Sequence, residues 1–293
     1  MNPGNENYKE ILRNGYYVDK TMMLSVLNDF IDEGNKYICI SRPRRFGKTI
    51  AGEMISSYYS KGCDSTELFS GLGISADDGY DEKRNRYNVI KIDMNSEYQV
   101  ARDKKRMLYR LEETIKDEMR ESFPKVELSE GDSLAQSIMK VYAAAEETFI
   151  IIIDEYDVLV REQVDKSLFD AYLSFLNGLF KSATLRPAIS LAYLTGILPV
   201  VRDKVQSKLN NFEEYTILDA ECFAEFVGFT GEEVAQLCLE HGVSYDECRL
   251  WYDGYRQHGY EIYNPESVVK AMRKKAFNSY WSKTSSYEVI SDR

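Results

Sequence analysis

At 293 residues, 44% of them hydrophobic and 29% charged, the chain is long enough for one substantial α/β domain and a smaller appendage. A formal net charge of -11 excludes nonspecific coating of nucleic acid by the whole surface, though a local basic patch stays open. Five cysteines without C-x-x-C spacing and two histidines argue against zinc, and with neither a membrane-length apolar run nor a signal-peptide core, a reduced cytoplasmic setting is expected.

Residues 1–36 open as a polar, loose lead and then an amphipathic helix over about 20–33, where Met23, Leu24, Leu27 and Phe30 share one face. The apolar run Tyr37-Ile38-Cys39-Ile40 reads as a buried strand. It enters Ser41-Arg42-Pro43-Arg44-Arg45-Phe46-Gly47-Lys48-Thr49, followed by a helix-compatible segment at 50–59. A strand, a tight loop ending Gly-Lys-Thr and a helix make a phosphate cradle. Backbone N–H groups and the helix N-terminus favour anionic oxygens, Lys48 suits the β- and γ-phosphates of ATP, and the Thr49 hydroxyl suits Mg²⁺. The pattern G-x-x-x-x-G-K-[ST] is broken by Arg42 at its first glycine. Pro43 stiffens the loop start, so fewer backbone contacts are expected there. Arg44 and Arg45 either add charge around a triphosphate or pair with acids and solvent.

The next strand is expected at 87–94. Met107, Leu108, Leu111, Ile115 and Met119 mark an amphipathic helix, and another spans 133–145. Phe149-Ile150-Ile151-Ile152-Ile153 then reads as a strand covered on both faces, running into Asp154-Glu155. Ligands of parallel sheets lie at the carboxyl ends of strands, where this pair falls. Asp154 suits Mg²⁺ held through water, and Glu155 a base that aligns the attacking water. Alone, the two acids read equally as a solvated strand end or a helix cap. Gly47-Lys48-Thr49 at the end of another core strand favours the catalytic reading, with the two strands expected to be neighbours.

A helix near 166–182, a strand at 190–195 and a last strand at 215–218 complete the alternation, which predicts a three-layer α/β fold with a mainly parallel sheet. Thr195, ending its strand, is either a γ-phosphate sensor or a satisfied strand-end hydroxyl. Arg202 or Lys204 and Asn210-Asn211 lie just beyond and can close the site. After Asp219 the signals are shorter. Thr230-Gly231-Glu232-Glu233 is a capping box closed by Gly242, and Asn264-Pro265 is an N-cap with proline at the first helical position. Between them lies an aromatic-rich turn or hairpin. Lys270, Arg273, Lys274, Lys275 and Lys283, with Phe277, Tyr280 and Trp281 interleaved, either follow a nucleic-acid backbone or form a solvated face over buried rings. Residues 1–219 are thus expected to form a P-loop domain and 220–293 a helical, winged-helix-like subdomain.

These blocks together resemble the bacterial and archaeal AAA-ATPase-like family, P-loop proteins that often carry a PD-(D/E)XK nuclease-like domain behind the ATPase. The resemblance rests on Gly15-Tyr16-Tyr17-Val18-Asp19-Lys20-Thr21, on the loop from Ser41 to Thr49, and on Ile153-Asp154-Glu155-Tyr156-Asp157. It continues through Leu194-Thr195-Gly196-Ile197, Leu209-Asn210-Asn211, Trp251-Tyr252-Asp253-Gly254-Tyr255 and Ile262-Tyr263-Asn264-Pro265. Arg42 in the glycine position is usual in the family. The resemblance implies an additional-strand, catalytic-glutamate P-loop ATPase using ATP and Mg²⁺, with Tyr17 and Lys20 at the edge of an adenine pocket. The nuclease-like part would follow Tyr280-Trp281. No Glu-x-Lys pair follows Asp219, so no nuclease activity is expected of these residues.

Three functions are weighed. The first is an ATPase whose Glu155-oriented water attacks the γ-phosphate, its nucleotide state coupled to the C-terminal subdomain or to a partner, either a protein client or nucleic acid. An oligomer could then supply an arginine from a neighbouring subunit. The second is a nucleotide-gated interaction module with little hydrolysis, which Arg42 and Pro43 leave open. A nucleic-acid binder with a vestigial loop is disfavoured by the acidic balance, and the missing N-K-x-D tetrapeptide tilts the base preference toward adenine.

Overall fold

Apolar, β-branched runs alternating with helices build a five-stranded sheet: β1 (Tyr37–Ser41), β2 (Asn88–Asp93), β3 (Phe149–Asp154), β4 (Ile189–Gly196) and β5 (Glu213–Tyr215). The computed structural model describes residues 1–199, 209–252, 254–257 and 259–280. The strand order is β2-β3-β4-β1-β5, and every pairing is parallel. All residues of β1 and β3 are buried, as a continuous apolar run requires when helices cover both faces. The two-residue pleat divides each run between two cores. Tyr37, Cys39, Ile151 and Ile153 face the helices Met107–Ser122, Leu134–Ala145 and Lys166–Phe180. Ile38, Ile40, Ile150 and Ile152 face Met23–Glu33 and Lys48–Tyr59.

The phosphate-loop strand and the acidic strand are not neighbours, contrary to expectation: β4 lies between them and pairs with both. The two motifs meet nonetheless, because the helix after the loop runs back across the sheet over β3. Gly52 on this helix faces Ile152 of β3: a Cβ there would lie 3.8 Å from Ile152 Cγ2, an ordinary van der Waals contact. The registers Ile40↔Thr195 and Ile153↔Leu194 bring the carboxyl ends of β1, β4 and β3 to one edge.

The first residues are not a loose lead. They form a helix, Glu6–Leu12, whose Tyr8 is fully buried and stacks on Phe69 with ring centroids 5.4 Å apart. Asn2 N donates to Val89 O at 2.6 Å, and Asn5 Nδ2 donates to Ser65 Oγ at 2.9 Å. A seven-residue helix with one buried aromatic offers no repeating apolar stripe, so periodicity does not reveal it. Tyr8→Ala is expected to cost about 3–5 kcal/mol in denaturant unfolding, the range for truncating a buried aromatic; a loss well under 1 kcal/mol would mean the segment is peripheral. The last strand is also displaced. It ends at Tyr215, after which Thr216 Oγ1 accepts from Leu218 N and Asp219 N, closing a turn that leaves Leu218 exposed.

The C-terminal region contains sheet as well as helix. β6 (Phe229–Thr230), β7 (Tyr255–Gln257) and β8 (Tyr260–Tyr263) form an antiparallel sheet in the order β6-β8-β7. Against it pack Gly231–His241, Tyr245–Tyr252 and Pro265–Lys274, through Val234, Leu237, Cys238, Val268 and Met272. The Thr230–Glu233 capping box forms, Gly242 closes that helix at φ 65°, and the Asn264 side chain accepts from Ser267 N. Phe223, Val227 and Ile262 pack into the core of the main sheet, joining the two regions. Among the described residues no helix is long and apolar enough to cross a membrane.

Candidate functional site

Two left-handed residues shape the loop after β1: Arg45 at φ 70° and Gly47 at φ 87°. Glycine takes this conformation freely, whereas arginine is held there at a cost of about 1 kcal/mol or more. Gly47 is the N-cap of the helix Lys48–Tyr59 and makes no side-chain cap, so the first-turn N–H groups open toward the loop. Lys48 is nearly buried, and its Nζ donates to Arg42 O and Pro43 O at 2.9 Å each. Burial pushes its pKa down to about 8, against the opposing pull of Asp154, Glu155 and Asp157.

A hydrogen bond joins the loop and the acidic strand. Thr49 Oγ1 donates to Asp154 Oδ2 at 2.7 Å. The other oxygen of Asp154 accepts from Thr195 Oγ1 and from Glu155 N. Glu155 has φ 52°, and Arg161 Nη2 donates to its Oε2 at 2.5 Å. Arg161 also lies 3.2 Å from Asp157 Oδ2, which accepts from Ile197 N and Leu198 N.

Lys48, Thr49, Glu155 and Arg161 open onto a cavity of about 750 Å³, whereas Asp154, Asp157 and Thr195 lie buried behind its lining. Arg44 to Ala51, Glu155 and Arg161 form one wall. Tyr16, Tyr17 and Val18 form a second, and Phe226, Gly228, Phe229, Pro265 and Val269 a third. Lys20, Arg44, Arg45, Lys48 and Arg161 outnumber Glu155, Glu162 and Glu266 among its charged lining residues, although the chain as a whole is acidic. That sign suits an anion, and the apolar third wall suits a flat ring. Direct ties close the cavity between regions distant in sequence. Arg45 pairs with Glu266, Lys20 with Glu233, Asn264 Nδ2 donates to Arg44 O at 3.4 Å, and Phe46 meets Tyr255 edge-on at 5.9 Å.

The residues singled out in the sequence thus fall in different places. Arg44, Arg45, Phe46, Gly47, Lys48, Thr49, Glu155, Tyr17 and Lys20 line the cavity. The Tyr17 hydroxyl shares a hydrogen bond with that of Tyr8 at 2.6 Å. Arg42 and Pro43 are not among its lining residues. The Arg42 side chain is fully buried, with Nη1 donating to Ser41 O at 2.9 Å and Tyr215 O at 2.8 Å, and burial lowers its pKa to about 10. Its role here is to clamp β5 to β1 while its carbonyl receives Lys48. Thr195 is buried with its hydroxyl on Asp154, which orients the carboxylate. Asn211 Nδ2 donates to Phe180 O at 2.7 Å, and neither Asn210 nor Asn211 is among the lining residues. Arg202 and Lys204 lie outside the described residues, as do Trp281 and Lys283. In the basic C-terminal segment, Lys270 pairs with Glu266, Arg273 sits over the Tyr16 ring at 5.6 Å, and Lys274 sits over the Tyr280 ring at 5.2 Å. Arg161, Asp157 and Glu266 were not legible as site residues, since each acts through a partner that no spacing rule names.

A curated relative, an uncharacterized protein in the vnfD 5′ region of Azotobacter chroococcum mcd 1, is 27% identical over 277 residues. The alignment covers 92% of this chain and 50% of that protein, so the chain spans about half the length of its relative. Among solved structures, Cdc6p from Pyrobaculum aerophilum superposes with a TM-score of 0.36 and 11% identity, covering 75% of this chain and 47% of that one. PCH-2 from C. elegans gives the same TM-score and identity over 90% of this chain and 62% of its own. The family described as Predicted AAA-ATPase matches residues 3–206, from the N-terminal helix through the loop and the acidic strand to beyond β4, and the chain belongs to this AAA-ATPase-like family.

Proposed function

We propose that the protein binds ATP with Mg²⁺ at the Lys48 loop and hydrolyses it. The observation that carries this reading is the 2.7 Å hydrogen bond from Thr49 to Asp154 beside the buried Lys48 ammonium. It sets a hydroxyl and a carboxylate beside a cation, with Lys48 and Thr49 lining a cavity whose charged residues are mainly cationic. Phosphate oxygens entering the loop would replace the Arg42 and Pro43 carbonyls as acceptors for Lys48, and the free first-turn N–H groups would receive the rest of the charge. Thr49 and Asp154 fit Mg²⁺, which takes one or two protein oxygens and completes its shell with water and phosphate. When bound, Mg²⁺ supplies charge neutralisation on the phosphate oxygens. Glu155 orients a water for in-line attack at the γ-phosphorus. The bond to the β,γ-bridging oxygen breaks, and ADP and inorganic phosphate leave. No unusual pKa is required, since phosphoryl transfer rests on positioning and charge stabilisation.

Residues 220–293 serve in this reading as a subdomain that follows the nucleotide state, because Phe226, Phe229 and Pro265 share the cavity with the loop. Its order of strand, two helices, hairpin and helix is compatible with a winged helix presenting a face to a protein client or nucleic acid. The Arg161–Glu155 ion pair favours a second reading, a nucleotide-gated module with slow turnover, because the base is engaged by a cation. Equilibrium calorimetry with ATP and GTP, with and without Mg²⁺, followed by steady-state phosphate release, separates these. ATP is expected to bind more tightly than GTP and to depend on Mg²⁺. Failure of ATP to bind would end the proposal, and binding without turnover would leave the gated module.

A further inference from the structure

Arg161 has no role in the phosphate loop, yet it lines the same cavity as Lys48, Thr49 and Glu155. Its side chain is only 9% exposed, and its two acidic neighbours are Glu155 at 2.5 Å and Asp157 at 3.2 Å. These contacts are unequal to the charge they hold. The approach of Nε to Asp157 is an ion-pair contact without a hydrogen bond, and that carboxylate oxygen already accepts two backbone amides, from Ile197 and Leu198. Glu155 is the stronger partner, but its side chain is 28% exposed, so it can return to water at little cost. Arg161 and Lys48 moreover repel one another across the site, lowering the proton affinity of Lys48. An anion placed between two such cations relieves that repulsion.

We propose that Arg161 distinguishes a nucleoside triphosphate from a diphosphate, exchanging Glu155 for the terminal phosphate and so freeing Glu155 to orient water. This rests on the reading of the cavity as a triphosphate site. The position follows from chain geometry: Arg161 closes the short helix Val158–Arg161 directly after the acidic strand, where its side chain reaches Glu155 and lines the cavity shared with Lys48 and Thr49. Arg45 is committed to another wall through Glu266. A planar guanidinium binds a phosphoryl group through two parallel hydrogen bonds, and a doubly charged phosphoryl outcompetes one half-solvated carboxylate. A diphosphate lacks that group and leaves the Arg161–Glu155 pair intact.

Calorimetric titration of the full chain with Mg²⁺ tests this, using ADP and a slowly hydrolysed ATP analogue. In Arg161→Ala the dissociation constant of the analogue is expected to rise roughly 10- to 100-fold, the range for losing a charge-assisted pair. That of ADP should stay within about threefold, which also reports an intact fold. Arg161→Lys should recover part of the loss. Glu155→Gln, which removes the competing charge, should tighten the analogue several-fold without changing ADP. Equal weakening of both nucleotides in Arg161→Ala, or an unchanged analogue affinity, would overturn the inference and leave Arg161 as packing for Glu155. If the wild type bound neither nucleotide, the triphosphate reading itself would fail, and this assignment with it.

Discussion

Replacing Glu155 by glutamine is expected to leave ATP bound and to lower steady-state phosphate release by about 10²- to 10⁴-fold, the usual contribution of a positioned base. Glutamine matches the shape of glutamate and meets the same left-handed backbone at φ 52°, so the loss reports charge rather than folding. The neighbouring groups have independent supports. Asp154 keeps its hydrogen bonds from Thr49 and Thr195, and Lys48 keeps the Arg42 and Pro43 carbonyls. Unchanged turnover in this variant, measured at saturating ATP, would remove the base assignment while leaving nucleotide binding in place.

Replacing Lys48 by methionine is expected to weaken ATP about 100-fold, through loss of the ammonium's contacts with the phosphates, and to stabilise the nucleotide-free protein. The second effect follows from linkage. Burial lowers the folded-state pKa of Lys48 from 10.5 to about 8, so the native state binds this proton less tightly than the unfolded chain does. Below about pH 8 both states are protonated, and the native state carries the full cost of the buried charge. Between about 8 and 10.5 the unfolded chain holds more protons, so stability rises with pH across that window. A shift of this size corresponds to about 3 kcal/mol. Methionine removes that cost but also the two hydrogen bonds to carbonyls, each about 1 kcal/mol. The balance is a gain of about 1 kcal/mol, seen as a Tm about 2–4 °C higher at neutral pH. The rise in wild-type stability above pH 8 should flatten in the variant. A lower Tm for the nucleotide-free variant would contradict the account of Lys48 as a strained, functional charge.

Much of the site can be read along the chain because its parts are local. Lys48 and Thr49 follow one strand, Asp154 and Glu155 end another, and burial of whole apolar runs marks both strands as central to a two-faced sheet. The capping signals at Thr230 and Asn264 are read the same way, since each cap is satisfied within three residues. Composition and these short-range patterns determined the layered α/β architecture and the residues on either side of the proposed phosphate site, while the family was legible only as a resemblance of whole sequence blocks.

What only the folded chain decided depends on pairings that no local pattern encodes. The placement of β4 between β1 and β3 is a matter of crossovers and register. The direction of Arg42 into the core instead of the loop depends on a carbonyl of β5, Tyr215 O. The Arg161–Glu155 pair depends on a turn that returns a side chain across the strand end. The cavity's third wall depends on contacts such as Arg45 with Glu266, 221 positions apart. A side chain's rotamer and its distant partner are chosen by packing and desolvation, and these exist only once the chain has closed on itself.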